Sequence, residues 1–171
     1  MTQEVILVDK NDKEIGTGEK MEVHQEGKLH RAFSIFVFNS QGQFLLQRRA
    51  KTKYHCAGLW GNTCCSHPRP GETLENAVHR KLKQEMGFDC DLKKKFSFIY
   101  RAEFDNGLIE NEYDHVFIGK FDSKPDHNLE EVDAWKWISI DELKKDINKN
   151  PEEYVPWIKI ILKNYSGYFL R

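Results

Sequence analysis

Leu59-Trp60-Gly61-Asn62-Thr63-Cys64-Cys65-Ser66-His67-Pro68 runs through Gly71-Glu72 into a helical pattern from Thr73 to Gly87, and the rest of the chain reads as support for it. Side chains alternate along an extended segment, so Cys65 and His67 share one face while Cys64 looks the other way. In the helix, Thr73 is the expected N-cap, Glu75 sits in the first turn and Gly87 is the left-handed stop. Leu74, Val78 and Leu82, four residues apart, form the stripe that packs on a sheet. Lys81 and Glu85 lie one turn apart and are neighbours on the helix surface. Strand, loop and helix thus gather a thiol, an imidazole, a carboxylate and an ammonium. Taken singly, a cysteine is more often a small buried hydrophobe and a Lys/Glu pair a solvated one, so the combination carries the weight.

Upstream, Val5 to Val8 and Ile15 to Gly18 flank the polar turn Lys10-Asn11-Asp12-Lys13 and read as an opening hairpin, followed by Lys20. His24 and His30 bracket Gln25-Glu26-Gly27-Lys28, where the glycine reads as a bend rather than a helix. Two rings six residues apart could converge on one ion, but on residue chemistry alone solvation is the expectation. Ala32 to Phe38 and Gln43 to Gln47, joined through Asn39-Ser40-Gln41-Gly42, read as a core hairpin. It empties into Arg48-Arg49-Ala50-Lys51-Thr52-Lys53, a basic loop able to face an anion, arginine being well shaped to grip phosphate oxygens. For Lys51 plain exposure is the expectation.

Downstream, Leu92 to Phe104 and Leu108 to Phe121 alternate about Asp105-Asn106-Gly107, a strong hairpin signal. Glu110 and Glu112 then point the same way, about 6.8 Å apart along the strand. Without a cation such a pair faces water; with one it can be buried. Val132 to Ile138 reads as a strand, Ser139-Ile140-Asp141-Glu142 as a capping box, and Pro156 as the start of a last helix with Trp157, Ile160 and Ile161 on its apolar side.

A chain of 171 residues suits one compact domain, expected over residues 1–171. Lys plus Arg number 26 against 27 Asp plus Glu, a formal net charge of −1, which lacks the basic field of a nucleic-acid binder. The polar start Met1-Thr2-Gln3-Glu4 and the shortness of every apolar run predict no membrane partner and a cytoplasmic protein. The oligomeric state expected is a monomer or a weak dimer. Cys56, Cys64, Cys65 and Cys90 are too few and too clustered for a disulfide scaffold and read as reduced thiols. A structural zinc site from Cys56, Cys64 or Cys65 with His67 stays open, although no spaced pair of Cys-x-x-Cys knuckles supports it.

Ser66 to Phe88 resembles a worn Nudix box: Glu72, Arg80, Glu85, Gly87 and Phe88 fit, whereas Ser66, Lys81 and Gln84 depart from the pattern. Together with Trp60 to Pro68, Tyr100-Arg101-Ala102 and Glu110-Asn111-Glu112, the departures resemble the type I isopentenyl-diphosphate isomerases, metal-dependent members of the Nudix fold. The resemblance covers roughly Val5 to Trp157 and implies an α+β fold, a Nudix-like mixed β-sheet sandwiched by helices. It implies interconversion of isopentenyl and dimethylallyl diphosphate, a step of isoprenoid biosynthesis. By the same resemblance His24, His30, His67, Glu110 and Glu112 surround one divalent cation, Mn²⁺, Mg²⁺ or Zn²⁺, and Glu85 helps hold an Mg²⁺ carried by the substrate's diphosphate. Lys20, Arg49, Lys53 and Lys81 align with diphosphate-binding positions. Glu112, tied to Tyr100, aligns with the proton donor, and Cys65 with the base, whose neighbours are expected to help it ionise. Trp157, rather than Trp60, aligns with the indole that shields the carbocation. Many relatives have Trp-Pro-Gly where this chain has Cys56-Ala57-Gly58, and Cys56 is expected to be a bystander. The rival readings are a Nudix diphosphate hydrolase, disfavoured by Lys81 and Gln84, and a non-catalytic Nudix-like module with a structural metal.

Overall fold

Strand β3 (His30–Phe38) is apolar on both faces and sits at the centre of a mixed nine-stranded sheet. A computed structural model describes residues 3–169; of the polar N-terminal stretch, Met1 and Thr2 lie outside them. Phe33, Ile35 and Val37 of β3 pack into one core and Phe36 into another, the alternation of a strand covered on both sides. The first core lies under helix α2 (Leu74–Met86), and the second under α3 (Ile140–Lys149) and α4 (Pro156–Tyr165). Helices on both faces of a mixed sheet match the expected sandwich. Among the described residues, no helix is long and apolar enough to cross a membrane.

One edge of β3 runs parallel to β8 (Ile109–Lys120) along its whole length, from His30 opposite Glu112 to Phe38 opposite Lys120. Its other edge is divided. β1 (Glu4–Val8), whose partner in the opening hairpin is β2 (Glu14–Glu19), pairs at His30; β6 (Cys64–Ser66) pairs across Phe33 to Ile35; β4 (Phe44–Arg49) pairs only at Phe38. The core hairpin read from Ala32 to Gln47 therefore closes only at its turn. Beyond it β6 takes β3's edge, and β4 pairs instead with β5 (Trp60–Gly61) and β9 (Val132–Ile138). A cavity opens here, lined by Ser34 of β3, Arg49 of β4 and Cys65 of β6.

The second correction lies between β2 and β3. Lys20–Glu26 is a short helix, α1, and Gly27 is its left-handed cap at φ 64°, not a bend in a loop. Burial overrides the weak local propensity here, because Val23 and His24 are both turned inward. α2 follows expectation, with the Thr73 hydroxyl accepting from the Asn76 amide and Gly87 at φ 73°. Gly87 is also required by space, since a Cβ there would overlap the carbonyl oxygen of Asp126. β7 (Leu92–Glu103) and β8 form the long Asn-Gly hairpin, and Ser139 and Glu142 form the capping box.

Candidate active site

β8 carries Glu110 and Glu112 on the same face, and register puts His30 directly opposite Glu112. β6, held against β3 by the Ser66–Phe33 pair, delivers His67 from its end, and α1 delivers His24. Asn111, between the two glutamates, donates its side-chain N–H to Gly27 O at 3.0 Å and so fastens the end of α1 to β8. The result is a buried group, His24, His30, His67, Glu110 and Glu112, whose ligand atoms all lie within 4.8 Å of one another. His24 and His30 are wholly buried, contrary to the solvation expected of histidines in a polar loop.

The donor set fits a divalent cation. Nδ1–H of His24 donates to Lys20 O at 2.6 Å and Nδ1–H of His30 to Lys28 O at 2.9 Å, which leaves both Nε2 lone pairs aimed inward. His24 Nε2 and Glu110 Oε2 are buried without hydrogen-bond partners, 3.3 Å apart. Burial pushes the His67 imidazole down to about 3, which favours the neutral ring there. His67 Nε2 stands 2.9 Å from Glu112 Oε1 and 3.2 Å from His30 Nε2. Three imidazoles and two carboxylates converging on one point make the cluster one that could hold a metal ion, and more than four nitrogen and oxygen donors exceed a closed tetrahedral zinc site. No cysteine belongs to this group, so it is not the Cys/His zinc arrangement left open from the sequence.

A cavity of 270 Å³ begins at this cluster and is lined at its other end by Lys20, Arg49, Lys53 and Lys81. Lys81 Nζ lies 2.9 Å from Glu85 Oε1, whose other oxygen accepts from the Gln47 side chain at 2.8 Å. Burial, with Lys53 and Lys81 alongside, pushes the Lys20 ammonium down, the signature of a crowded cationic pocket. Between the ends, Cys65 lines the cavity, with Arg49 Nη1 at 3.9 Å from its sulfur. Burial pushes the Cys65 thiol up, and the Arg49 guanidinium beside it opposes that. Cys64 faces the other way, fully buried against α2 with Val78 and Leu82. Tyr100 O–H donates to Glu112 Oε2 at 2.6 Å. Trp157 lines the cavity, fixed by its indole N–H donating to Asn62 Oδ1 at 2.9 Å, whereas Trp60 is absent from the lining and packs beside Arg48 and Lys136.

The NUDIX domain family description matches residues 28–158. The chain is 57% identical over 166 residues to "Isopentenyl-diphosphate Delta-isomerase 2" of Photorhabdus laumondii, covering 97% of this chain and 94% of that protein. It is 49% identical over 167 residues to "Isopentenyl-diphosphate Delta-isomerase" of Serratia proteamaculans, covering 98% and 93%. This chain belongs to the isopentenyl-diphosphate Delta-isomerase family of Nudix proteins. Two solved structures with the same fold are more distant in sequence than these family members. A Deinococcus radiodurans protein superposes with a TM-score of 0.79 at 19% identity, covering 94% of this chain and 98% of that one. A MutT protein from Methanosarcina mazei gives 0.66 at 18%, covering 81% and 94%.

Within this isomerase-family chain every residue expected from the sequence at the site belongs to the cluster or lines its cavity. Glu72 and Arg80 of the worn Nudix box pair with each other at 2.6 Å outside it, and Gln84 is exposed. Cys56 is absent from the lining, sits at φ 51°, and has its thiol pushed up to about 11 by burial. Three polar residues were missed. Glu131 contacts Lys53 and lies 4.0 Å from Lys81; His55 contacts Glu110; Asp114, buried beside Glu112, accepts from the Ser34 hydroxyl at 2.7 Å. Asp114 continues the Glu110, Glu112 alternation, which was the available signal; the other two sit in loops without periodicity.

Proposed function

We propose that this chain interconverts isopentenyl diphosphate and dimethylallyl diphosphate, with a divalent cation, Mn²⁺, Mg²⁺ or Zn²⁺, at His24, His30, His67, Glu110 and Glu112. The observation that carries the reading is a metal-ligand cluster, a thiol and four cations meeting around one cavity. When bound, the cation neutralises the buried carboxylates and polarises the group that holds the reacting proton. Lys20, Arg49, Lys53 and Lys81 would bind the diphosphate, leaving its Mg²⁺ to Glu85.

The hydrocarbon tail then lies between Cys65 and the Tyr100–Glu112 pair. In the forward direction Glu112, backed by Tyr100, gives a proton to the terminal alkene carbon, and the positive charge develops at the tertiary carbon. Cys65, which must first shed the proton that burial favours, then removes a proton from the carbon on the far side of that centre, and the double bond forms there. In the reverse direction the Cys65 thiol donates and Glu112 accepts, so a protonated Cys65 is the form that starts the reverse reaction. Trp157 walls off water and offers a π face worth about 0.5–1 kcal/mol or more in a dry site.

Incubation with isopentenyl diphosphate and a divalent ion is expected to yield an acid-labile allylic diphosphate, with one solvent deuteron incorporated in D₂O and no phosphate released. Phosphate release would instead identify a Nudix hydrolase, and inertness toward both substrate classes a binding module.

A further inference from the structure

Glu110 and Glu112 feed the same cluster, but their oxygens are held differently. Glu112 has both engaged, by His67 and by Tyr100. Glu110 Oε1 is in contact with His55 Nε2, while Oε2 is buried, without a hydrogen-bond partner, 3.3 Å from His24 Nε2 and 4.0 Å from His30 Nε2. His55 comes from the loop between β4 and β5, not from any element that builds the cluster.

The ring is 6% exposed and boxed by aromatics: stacked on Tyr54 at 4.2 Å, edge-on to Phe104 at 5.2 Å, and 6.0 Å from Trp157. Neither ring nitrogen meets a partner in regular hydrogen-bond geometry, and Nε2 lies in direct contact with Glu110 Oε1, so the Glu110 carboxylate is the polar group within reach of this buried imidazole. A carboxylate turns easily about its last torsion, and a partner on one oxygen decides which oxygen faces a ligand.

We propose that His55 is a positioning residue for the cation centre: it holds Glu110 by Oε1 so that Oε2 faces the ion. This rests on the reading of the five-residue cluster as a metal site. Partners of this kind behind a ligand are worth roughly 10- to 100-fold in metal affinity. Lys53 lies two residues upstream in the same loop, so a His55 seated on Glu110 also draws the anion-binding loop toward the loaded centre.

The test is competition for Mn²⁺ or Zn²⁺ against a fluorescent chelator, on metal-stripped full-length protein without substrate. His55→Phe keeps the ring volume without a donor and is expected to weaken the ion tenfold or more. His55→Gln, whose amide can reach Glu110, should stay within about threefold of the parent, and His55→Asn, one methylene shorter, should fall with phenylalanine. Parent-like affinity in the phenylalanine or asparagine protein overturns the proposal, as does an equal loss in the glutamine protein. If phenylalanine abolishes the melting transition of the stripped protein, the asparagine and glutamine pair decides. A parent that fails to bind either ion sinks the metal site itself, an outcome distinct from failure of His55's role.

Discussion

The two ends of the cavity are built on different principles. At the histidine end every ligand comes from a strand, a strand end or a capped helix, and two of the three imidazoles are tied to main-chain carbonyls. At the cationic end Lys20, Arg49, Lys53 and Lys81 are long side chains, two of them from one irregular loop or its edge, and Lys53 and Lys81 rest on the carboxylates Glu131 and Glu85. On the proposed reading the first end is preset for a cation and for proton transfer, where a fraction of an ångström matters. The second is compliant, able to exchange internal carboxylates for a diphosphate. The proposal thus assigns chemistry to groups held by backbone and binding to adaptable charge.

The largest effect should come from the rigid end. Glu112→Gln and Cys65→Ala are each expected to lower kcat by at least about 10²–10⁴-fold, the range for losing a general acid or base, while Cys64→Ala, whose side chain packs under α2, turns over normally. Substantial kcat in Cys65→Ala would remove the base from the scheme. Next, Lys53→Ala should raise KM about tenfold with kcat little changed, since it removes binding made equally in ground and transition states. A fall in kcat as deep as that of Glu112→Gln would break the contrast between the two ends. More modestly, Glu131→Gln should bind inorganic pyrophosphate a few-fold more tightly in metal-free titrations, because a competing carboxylate has gone; weaker binding would mean Glu131 serves to space Lys53 instead.

The smallest effect concerns stability behind the rigid end. Arg31, next to His30, is pinned to Asp12 at 2.7 Å, and Asp12 also meets the buried His115 at 2.9 Å. Burial, with Lys94 nearby, pushes His115 down to about 4 from 6.5. The unfolded chain therefore takes a proton near pH 6.5 that the folded chain accepts only near 4, so stability falls as pH drops through that window. The full destabilisation is on the order of 3 kcal/mol below that window and vanishes above it. His115→Gln should flatten the pH dependence of the melting temperature between pH 4 and 6.5, with neutral-pH turnover unchanged. An unaltered slope would assign the acid sensitivity elsewhere.

Much of this was legible in the sequence where a local rule and the tertiary structure agree. Thr73 and Gly87 bound α2, Asn106-Gly107 turns β7 into β8, and alternation puts Glu110 and Glu112 on one face. What escaped was set at a distance. α1 is only seven residues long and owes its helix to the burial of Val23 and His24, so its sequence reads as a loop. The parallel pairing of β3 with β8 leaves no local trace, and neither does the insertion of β6 that splays β3 from β4. The resemblance supplied the convergence of His24, His30 and His67, which spacing alone did not. His55 and Glu131 were missed because they act through loops, where neither periodicity nor capping marks a residue.

The parallel ladder from His30–Glu112 to Phe38–Lys120 carries a consequence for biosynthesis. Its two strands are separated by the whole of the sequence between them, so the loop closing them is among the costliest contacts the chain makes. While β8 is still inside the ribosome, the emerging polypeptide has its histidines but neither glutamate, and there is no centre to load. If the cluster holds a cation as proposed, its capture is a late event, open only to a chain whose two halves have already met.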